Sequence, residues 1–343
     1  MKYALIGCGR IATNHVKAVL NNHLEFAAVC DVIPEQMENL LAKHELQNDS
    51  SIHRYTDYKE MIEQEQPQLV GIATESGVHA EIALYCIDHG VNVIIEKPMA
   101  MSIADANEII RRSEEKGVKV SACHQNRFNV AVQQMRKALE AGRFGKLSHG
   151  SIHVRWNRNR DYYDQAKWRG TWAQDGGALM NQGVHGIDLI LWMLGDEVST
   201  LYGRAETLAR DIPVEDTAAA VLNMKHGGIC VIQGCTTAYP GFSSTFYIHG
   251  EKSTVVFNDE GILEWKFLDE ADAPQRPDMG ERVGGAGDPT KIGNYGHICL
   301  LRDIAQAVRD GRSPAIPPQE AALAVRVICS IYESSRTGRP IVF

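Results

Sequence analysis

The sequence predicts an α/β doubly wound parallel sheet followed by an α+β domain with a large, mostly antiparallel open sheet. Three observations carry this. Short apolar strands alternate strictly with helical patterns over residues 1–123. From Lys146 onward the pattern changes to consecutive longer strands. Glycine-containing turns separate several of those strands at hairpin positions. With 343 residues, 44% of them hydrophobic, the chain has material for two cores, so the expected domains are 1–123 and 124–343, with the C-terminal helices free to pack back on the first.

In chain order, Lys2-Tyr3-Ala4-Leu5-Ile6 reads as a buried strand that runs into Gly7-Cys8-Gly9-Arg10-Ile11-Ala12, then a helix, then a strand closed by Asp31. Gly7 suits a tight turn, Gly9 lets the backbone approach a pyrophosphate, and Ala12 lets the helix pack on the strand. Phosphates would meet unpaired N–H groups at the helix start, with Arg10 and Ile11 beside them. An acid about twenty residues on completes the dinucleotide fingerprint. Asp31 should accept from the adenosine ribose hydroxyls and repel a 2′-phosphate, which favours NAD over NADP. A helix follows from Pro34, with proline at its start. Strands are expected at 68–74, 91–95 and 118–122, and helices at 79–89 and 102–116, the latter capped by Ser102 with Asp105 three residues on. Ligands bind beyond the carboxyl ends of such strands. Those ends supply Thr74, Glu96-Lys97-Pro98, and Gln125 with Arg127. A lysine at a strand end, fixed by the following proline, would stand beside a nicotinamide, although a solvated lysine is the plainer reading.

Residues 128–141 carry a helical stripe ended by Gly142. Strands are expected at 150–156, 201–209, 217–224, 228–236, 243–249 and 254–257, with Gly227-Gly228 a two-residue hairpin turn and 250–252 a longer one. The proline- and glycine-rich stretch 272–291 is long enough to suggest a flap or a partner contact, and two helices close the chain.

The chemistry concentrates at residues 155–188. Asp175-Gly176-Gly177 opens a helix on which Asn181, His185 and Asp188 fall at spacings of four and three, hence on one face. Burial would lower the His185 pKa and the neighbouring carboxylate raise it, into the range of a general base. Upstream, Arg155, Arg158, Arg160, Tyr162, Tyr163, Trp168, Arg169 and Trp172 form a basic, aromatic loop. Such a run suits a sugar ring with an anionic group, the rings covering C–H faces and a guanidinium gripping the anion.

Composition excludes several classes. The net charge is −8 with basic residues otherwise scattered, so nucleic acid is not an expected partner. No stretch approaches the roughly 18 apolar residues of a membrane span, and no leader pattern precedes the first strand, so a cytoplasmic location is expected. The eight cysteines form no C-x-x-C pair and read as free thiols, with no metal expected because clustered ligand spacing is absent.

In sum of motifs, Gly7-Cys8-Gly9-Arg10-Ile11-Ala12, Ile72-Ala73-Thr74 with His79, Glu96-Lys97-Pro98, and Gly176-Gly177 through Asn181, Gly183, His185 and Asp188 make the chain similar to the Gfo/Idh/MocA oxidoreductases over its whole length. The resemblance implies a Rossmann domain binding NAD, or less readily NADP, and a second domain that binds substrate and forms a homodimer or homotetramer through its open sheet. It implies Lys97 and His185 as catalytic residues flanking substrate and nicotinamide, and a cis bond before Pro98. Asn181 departs from the aspartate of many members: it can orient His185 or a substrate hydroxyl but cannot share a proton. The implied cofactor contacts are Gly7, Gly9, Arg10, Ile11, Asp31, Thr74, His79, Glu96, Lys97, Gln125, Trp168 and Arg169. The implied substrate contacts are Lys97, Arg127, Arg155, Arg158, Trp172, Asn181 and His185. The expected reaction is oxidation of a secondary hydroxyl of a sugar, sugar acid, nucleotide sugar or cyclitol. The segment Trp168-Arg169-Gly170-Thr171-Trp172 with Asn181-Gln182 is similar to members acting on hexuronic acids and nucleotide-linked amino sugars. Two rivals use the same residues: NAD-dependent glycoside hydrolysis through transient C3 oxidation, and cofactor-dependent regulation without turnover.

Overall fold

The computed structural model describes residues 1–195, 197–259, 261–269, 273–276 and 293–343. The chain starts with β1 (Lys2–Ile6), α1 (Ala12–Asn21), β2 (Glu25–Cys30), α2 (Pro34–Lys43), β3 (His53–Tyr55), α3 (Tyr58–Glu65) and β4 (Leu69–Ile72). It continues with α4 (His79–Asp88), β5 (Asn92–Ile95), α5 (Ile103–Lys116), β6 (Val120–Ala122), α6 (Val130–Glu140), β7 (Leu147–Arg155), α7 (Arg160–Tyr163), α8 (Val184–Leu194) and β8 (Val198–Glu206). Then come β9 (Thr217–Met224), β10 (Ile229–Cys235), β11 (Thr245–Gly250), β12 (Ser253–Asn258), β13 (Gly261–Phe267), α9 (Tyr295–Asp310), α10 (Pro318–Thr337) and β14 (Ile341–Val342). Two compact units result: Met1–Gln125 with Asn294–Val325, and Asn126–Gly293 with Arg326–Phe343.

The first unit is built on a parallel sheet ordered β3-β2-β1-β4-β5-β6, the doubly wound arrangement that the β-then-α alternation predicts. Its central strands are buried throughout, and Leu5, Ile72, Ile94 and Ile95 fill the core. Ser102 caps α5 as expected, its hydroxyl accepting from the Asp105 N–H at 3.0 Å. β3 and α3 were not expected: β3 is three half-exposed residues at the sheet edge, and α3 is a polar helix started by the Asp57 cap on Lys59 N at 2.8 Å. From the far end of the chain, α9 packs against α1, where the Asn22 amide donates to the Ile298 carbonyl at 3.0 Å.

Gly7 is where this unit has least latitude. Its φ is +91°, and a Cβ there would lie 2.6 Å from the Ala73 carbonyl carbon. Gly7→Ala is therefore expected to cost roughly 2 to 4 kcal/mol from left-handed strain and backbone clash together, read as a shift in urea unfolding. An unchanged midpoint would show that the loop relaxes freely.

In the second unit, the described strands form one mixed, mostly antiparallel sheet ordered β13-β12-β11-β7-β10-β9-β8-β14, with β10 and β7 parallel. β9 and β10 do form a hairpin, but Asn223 pairs with Ile229 and the Met224 N–H donates to the Gly228 carbonyl, so the loop is longer than the expected two-residue Gly227-Gly228 turn; both glycines have positive φ, +95° and +120°. One face of β7, with Gly150, Ile152 and Val154, is buried, and Gly150 and Gly186 let α8 lie close: a Cβ at Gly150 would reach Leu194 at 2.8 Å. The expected flap at 272–291 falls outside the described residues except for 273–276, where the Pro274 carbonyl accepts from Trp265 Nε1 at 2.8 Å. None of the eight cysteines is in a disulfide among the described residues.

Candidate active site

The first unit supplies a nucleotide cradle. The Cys8 N–H donates to Asp31 Oδ2 at 2.8 Å and the Ile33 N–H to Oδ1 at 2.9 Å, so the acid at the end of β2 braces the glycine loop at the end of β1. Each Asp31 oxygen keeps a further acceptor position, as a ribose contact needs. No side chain caps the start of α1, and a Cβ on Gly9 would meet nothing within 4 Å. Gly9 is thus not demanded by protein packing. The open space there leaves room for a diphosphate at the start of α1, beside the exposed Arg10. These features fit NAD.

Lys97 follows β5, partly exposed, with a cis bond to Pro98. Its own N–H donates to Glu96 Oε2 at 3.3 Å. The other carboxylate oxygen faces His15 Nε2 at 3.0 Å and His297 Nε2 at 3.2 Å. Burial pushes the Glu96 pKa up, but the two imidazole hydrogen bonds outweigh it and hold the carboxyl well below its ordinary value. Glu96 is therefore an interior anchor. His79 is also interior: its ring nitrogens face the Pro98 carbonyl at 2.8 Å and the Thr74 carbonyl at 3.1 Å, and burial lowers its pKa. Gln125 is buried, its backbone against Gly296.

In the second unit, a π-helical turn at Ala178–Gly183 precedes α8, where a single helix was expected. Asn181 lies on that wider turn and the partly exposed His185 in the first turn of α8. Such π turns recur at functional sites. The Asn181 amide donates to Asp175 Oδ1 at 2.6 Å and to the Tyr162 hydroxyl at 3.3 Å. Tyr162 also receives the Gln182 amide at 3.3 Å and Arg169 at 2.6 Å, which ties the basic loop to the turn bearing Asn181. The Arg169 guanidinium lies over the Tyr162 ring at 4.4 Å and the Trp168 ring at 4.6 Å. Arg158 lies over Trp156 at 4.8 Å, and burial lowers its pKa. Arg155 donates to the Thr245 hydroxyl at 3.3 Å, and Arg210 to the Asn157 side chain at 2.8 Å. Trp172 is half exposed, its indole N–H on the Pro213 carbonyl at 2.9 Å.

The Asp188 carboxylate is held by Arg127, with Nε to Oδ2 at 2.9 Å and Nη2 to Oδ1 at 2.7 Å, a pairing that the helical spacing did not foresee. Arg127 is correspondingly buried, with its guanidinium also 5.1 Å from the Trp192 ring. A strand-end arginine and a helix aspartate sixty residues apart give no joint signal in sequence.

The model described as the oxidoreductase family with NAD-binding Rossmann fold matches residues 1–124, and the model of the GFO/IDH/MocA C-terminal domain matches residues 132–256. The WlbA dehydrogenase of Bordetella pertussis, solved in complex with NADH and UDP-GlcNAcA, is 31% identical with a TM-score of 0.87, covering 100% of this chain and 98% of that one. The chain belongs to the Gfo/Idh/MocA oxidoreductase family. Other relatives are the scyllo-inositol 2-dehydrogenase (NADP(+)) IolW of Bacillus subtilis, 25% identical over 80% of this chain and 78% of its own, and the myo-inositol 2-dehydrogenase of Thermotoga maritima, 24% identical over 76% and 79%. This Gfo/Idh/MocA chain is accordingly an oxidoreductase with an NAD-binding first domain. No described helix is long and apolar enough to cross a membrane.

Three features of this family member carry no local signal in sequence: the Asp175 contact with Asn181, Tyr162 as a hub, and Glu215. Asp175 is buried and also accepts from Gly170 N at 2.7 Å, closing the basic loop onto the π turn. Glu215 accepts from Leu179 N at 2.9 Å and the Tyr332 hydroxyl at 2.8 Å. It also explains Gly177, where a Cβ would lie 2.1 Å from Glu215 Oε2. Burial pushes the Glu215 carboxyl up to about 7 against the lowering effect of those donors. The unfolded chain then releases this proton near its ordinary value while the native chain keeps it, so stability is lost as pH rises from about 4.5 to about 7. Replacement by the neutral isostere, Glu215→Gln, is expected to remove on the order of 3 kcal/mol of this decline between pH 4.5 and 8, measured as the difference in urea stability from wild type at each pH. Parallel pH profiles for the two proteins would refute it.

Proposed function

We propose that the chain is an NAD-dependent dehydrogenase that oxidises a secondary hydroxyl of an anionic sugar, a sugar acid or a nucleotide-linked sugar acid. The supporting observation is the Tyr162 hub, which joins Arg169 to Asn181 and Gln182 and thereby couples an arginine-rich, aromatic loop to the turn leading into His185. The recorded partners of Arg155, Arg169 and Arg210 are hydroxyls, carbonyls and amides, so a substrate carboxylate or phosphate would bring the opposite charge. The UDP-GlcNAcA bound in the WlbA complex belongs to that chemical class.

In this reading NAD supplies the hydride acceptor at its nicotinamide C4. His185 accepts the hydroxyl proton as the carbinol carbon gives up its hydride, leaving a carbonyl. Lys97 donates a hydrogen bond to the same oxygen, holding it as its charge builds. Asn181 positions the sugar with an amide fixed by Asp175 and Tyr162. Arg155, Arg158, Arg169 and Trp172 cover the ring and the anion. No observation favours the hydrolase or the non-catalytic regulator.

The test is a screen for NADH formation over uronic acids, UDP-linked uronic acids, neutral sugars and inositols. Turnover confined to the anionic sugars is expected, and equal or better turnover of neutral cyclitols would overturn the substrate class. Asp31→Ala is expected to weaken NAD binding about 10-fold or more in fluorescence titration, from the lost ribose bonds and the unbraced Cys8 and Ile33 N–H groups. An unchanged affinity would remove Asp31 from the cofactor site.

A further inference from the structure

We propose that the buried quartet His15, Glu96, Cys123 and His297 in the first unit is a structural zinc site. The residues come from α1, the position after β5, the position after β6, and the first turn of α9. Their exposures are 2%, 5%, 0% and 2%, and one ligand atom from each lies within 4.8 Å of all the others. Imidazole, thiolate and carboxylate are all zinc ligands, and four of them would close the tetrahedral shell of a structural site.

The two histidine–carboxylate distances suit the metal with little movement. Tetrahedral zinc, with nitrogen and oxygen at about 2.0 to 2.1 Å and sulfur at about 2.3 Å, sets its ligands about 3.3 to 3.6 Å apart. The His15 and His297 Nε2 atoms stand 3.0 and 3.2 Å from Glu96 Oε1, so each gap has to open by only a few tenths of an ångström. Without metal these groups converge on the carboxylate through protons, and the Cys123 thiol hydrogen-bonds to Glu96 as well. Zinc would displace the thiol proton and shift both imidazoles to their Nδ1–H tautomers. Charge then closes inside the core: a dication against one thiolate and one carboxylate, with two neutral imidazoles. Outer contacts exist for two ligands. The Tyr3 hydroxyl is 3.2 Å from His15 Nδ1, and the Lys97 N–H donates to Glu96 Oε2 at 3.3 Å. A loaded site would pin α9, from the end of the chain, to the carboxyl ends of β5 and β6. Local motif spacing cannot reveal it, because the four ligands are scattered from residue 15 to residue 297.

The full-length chain, purified without chelator, is titrated with zinc and separately with cobalt(II). About one zinc per chain is expected by elemental analysis, with a higher melting temperature, and cobalt should give tetrahedral visible bands plus a near-ultraviolet thiolate band. Cys123→Ser should lose the thiolate band, and His297→Ala should weaken zinc binding about 10-fold or more. Substoichiometric zinc at saturation, or a wild-type cobalt complex with no thiolate band, overturns the proposal even where a variant fails to fold. So does a thiolate band unchanged in Cys123→Ser, the signature of a different cysteine. None of these readouts depends on turnover, so the result stands apart from the proposed reaction.

Discussion

His185→Ala should lower kcat at least about 100-fold while the NAD dissociation constant stays within about twofold, because a positioned general base contributes about 100- to 10,000-fold and the imidazole makes no part of the nucleotide cradle. The fold should tolerate the change. His185 is partly exposed in the first turn of α8, and alanine is the strongest helix former, whereas Gly186, Ile187 and Asp188 beside it are the buried residues of that turn. Stability within about 1 kcal/mol of wild type is expected. Residual activity should rise with pH, as hydroxide replaces the missing base. Wild-type kcat in a folded His185→Ala enzyme would remove the residue from the proton transfer, and a loss confined to KM would recast it as a binding group.

The first domain was legible because each of its rules is local. The turn at Gly7, the acid at Asp31, the cap at Ser102 and the alternation of buried strands with helices all depend on neighbours within a few dozen residues. The hairpin between β9 and β10 was readable for the same reason, although its loop is longer than the two glycines. What failed to show was short, polar or distant. β3 lacks an apolar run, and α3 is polar enough to resemble a loop. The π turn at Ala178–Gly183 has no composition of its own, since it arises where Glu215 presses against Gly177 and binds Leu179 N. Tyr162 stood in an evident basic and aromatic loop, yet its part as the junction of Arg169, Asn181 and Gln182 is a product of folding. The grouping of Asn181, His185 and Asp188 by α-helical spacing missed the π turn that carries Asn181, and it could not foresee that a guanidinium from another element would hold Asp188.

That pairing makes Asp188→Ala the substitution with the largest expected effect on stability, roughly 3 to 5 kcal/mol in urea unfolding. The Arg127 and Asp188 side chains are 5% and 2% exposed, and the carboxylate accepts two hydrogen bonds from one guanidinium. Removing the acid leaves a cation in the interior with the Trp192 ring but without its counter-charge, and desolvation that the pair had offset is then uncompensated. The cost comes from the stranded partner rather than from the net worth of the pair, so the double variant Arg127→Met with Asp188→Leu should recover much of the loss. Asp188→Asn, which keeps the shape and one acceptor oxygen, should fall between. Kinetics separate this from a role in substrate binding. If Arg127 grips substrate, the double variant should raise KM strongly while remaining stable. If the pair is only an interior brace, KM should return toward wild type with the stability. Asp188→Ala unfolding within about 1 kcal/mol of wild type would mean that Arg127 finds water or another anion as readily as Asp188, and the interior assignment would be lost.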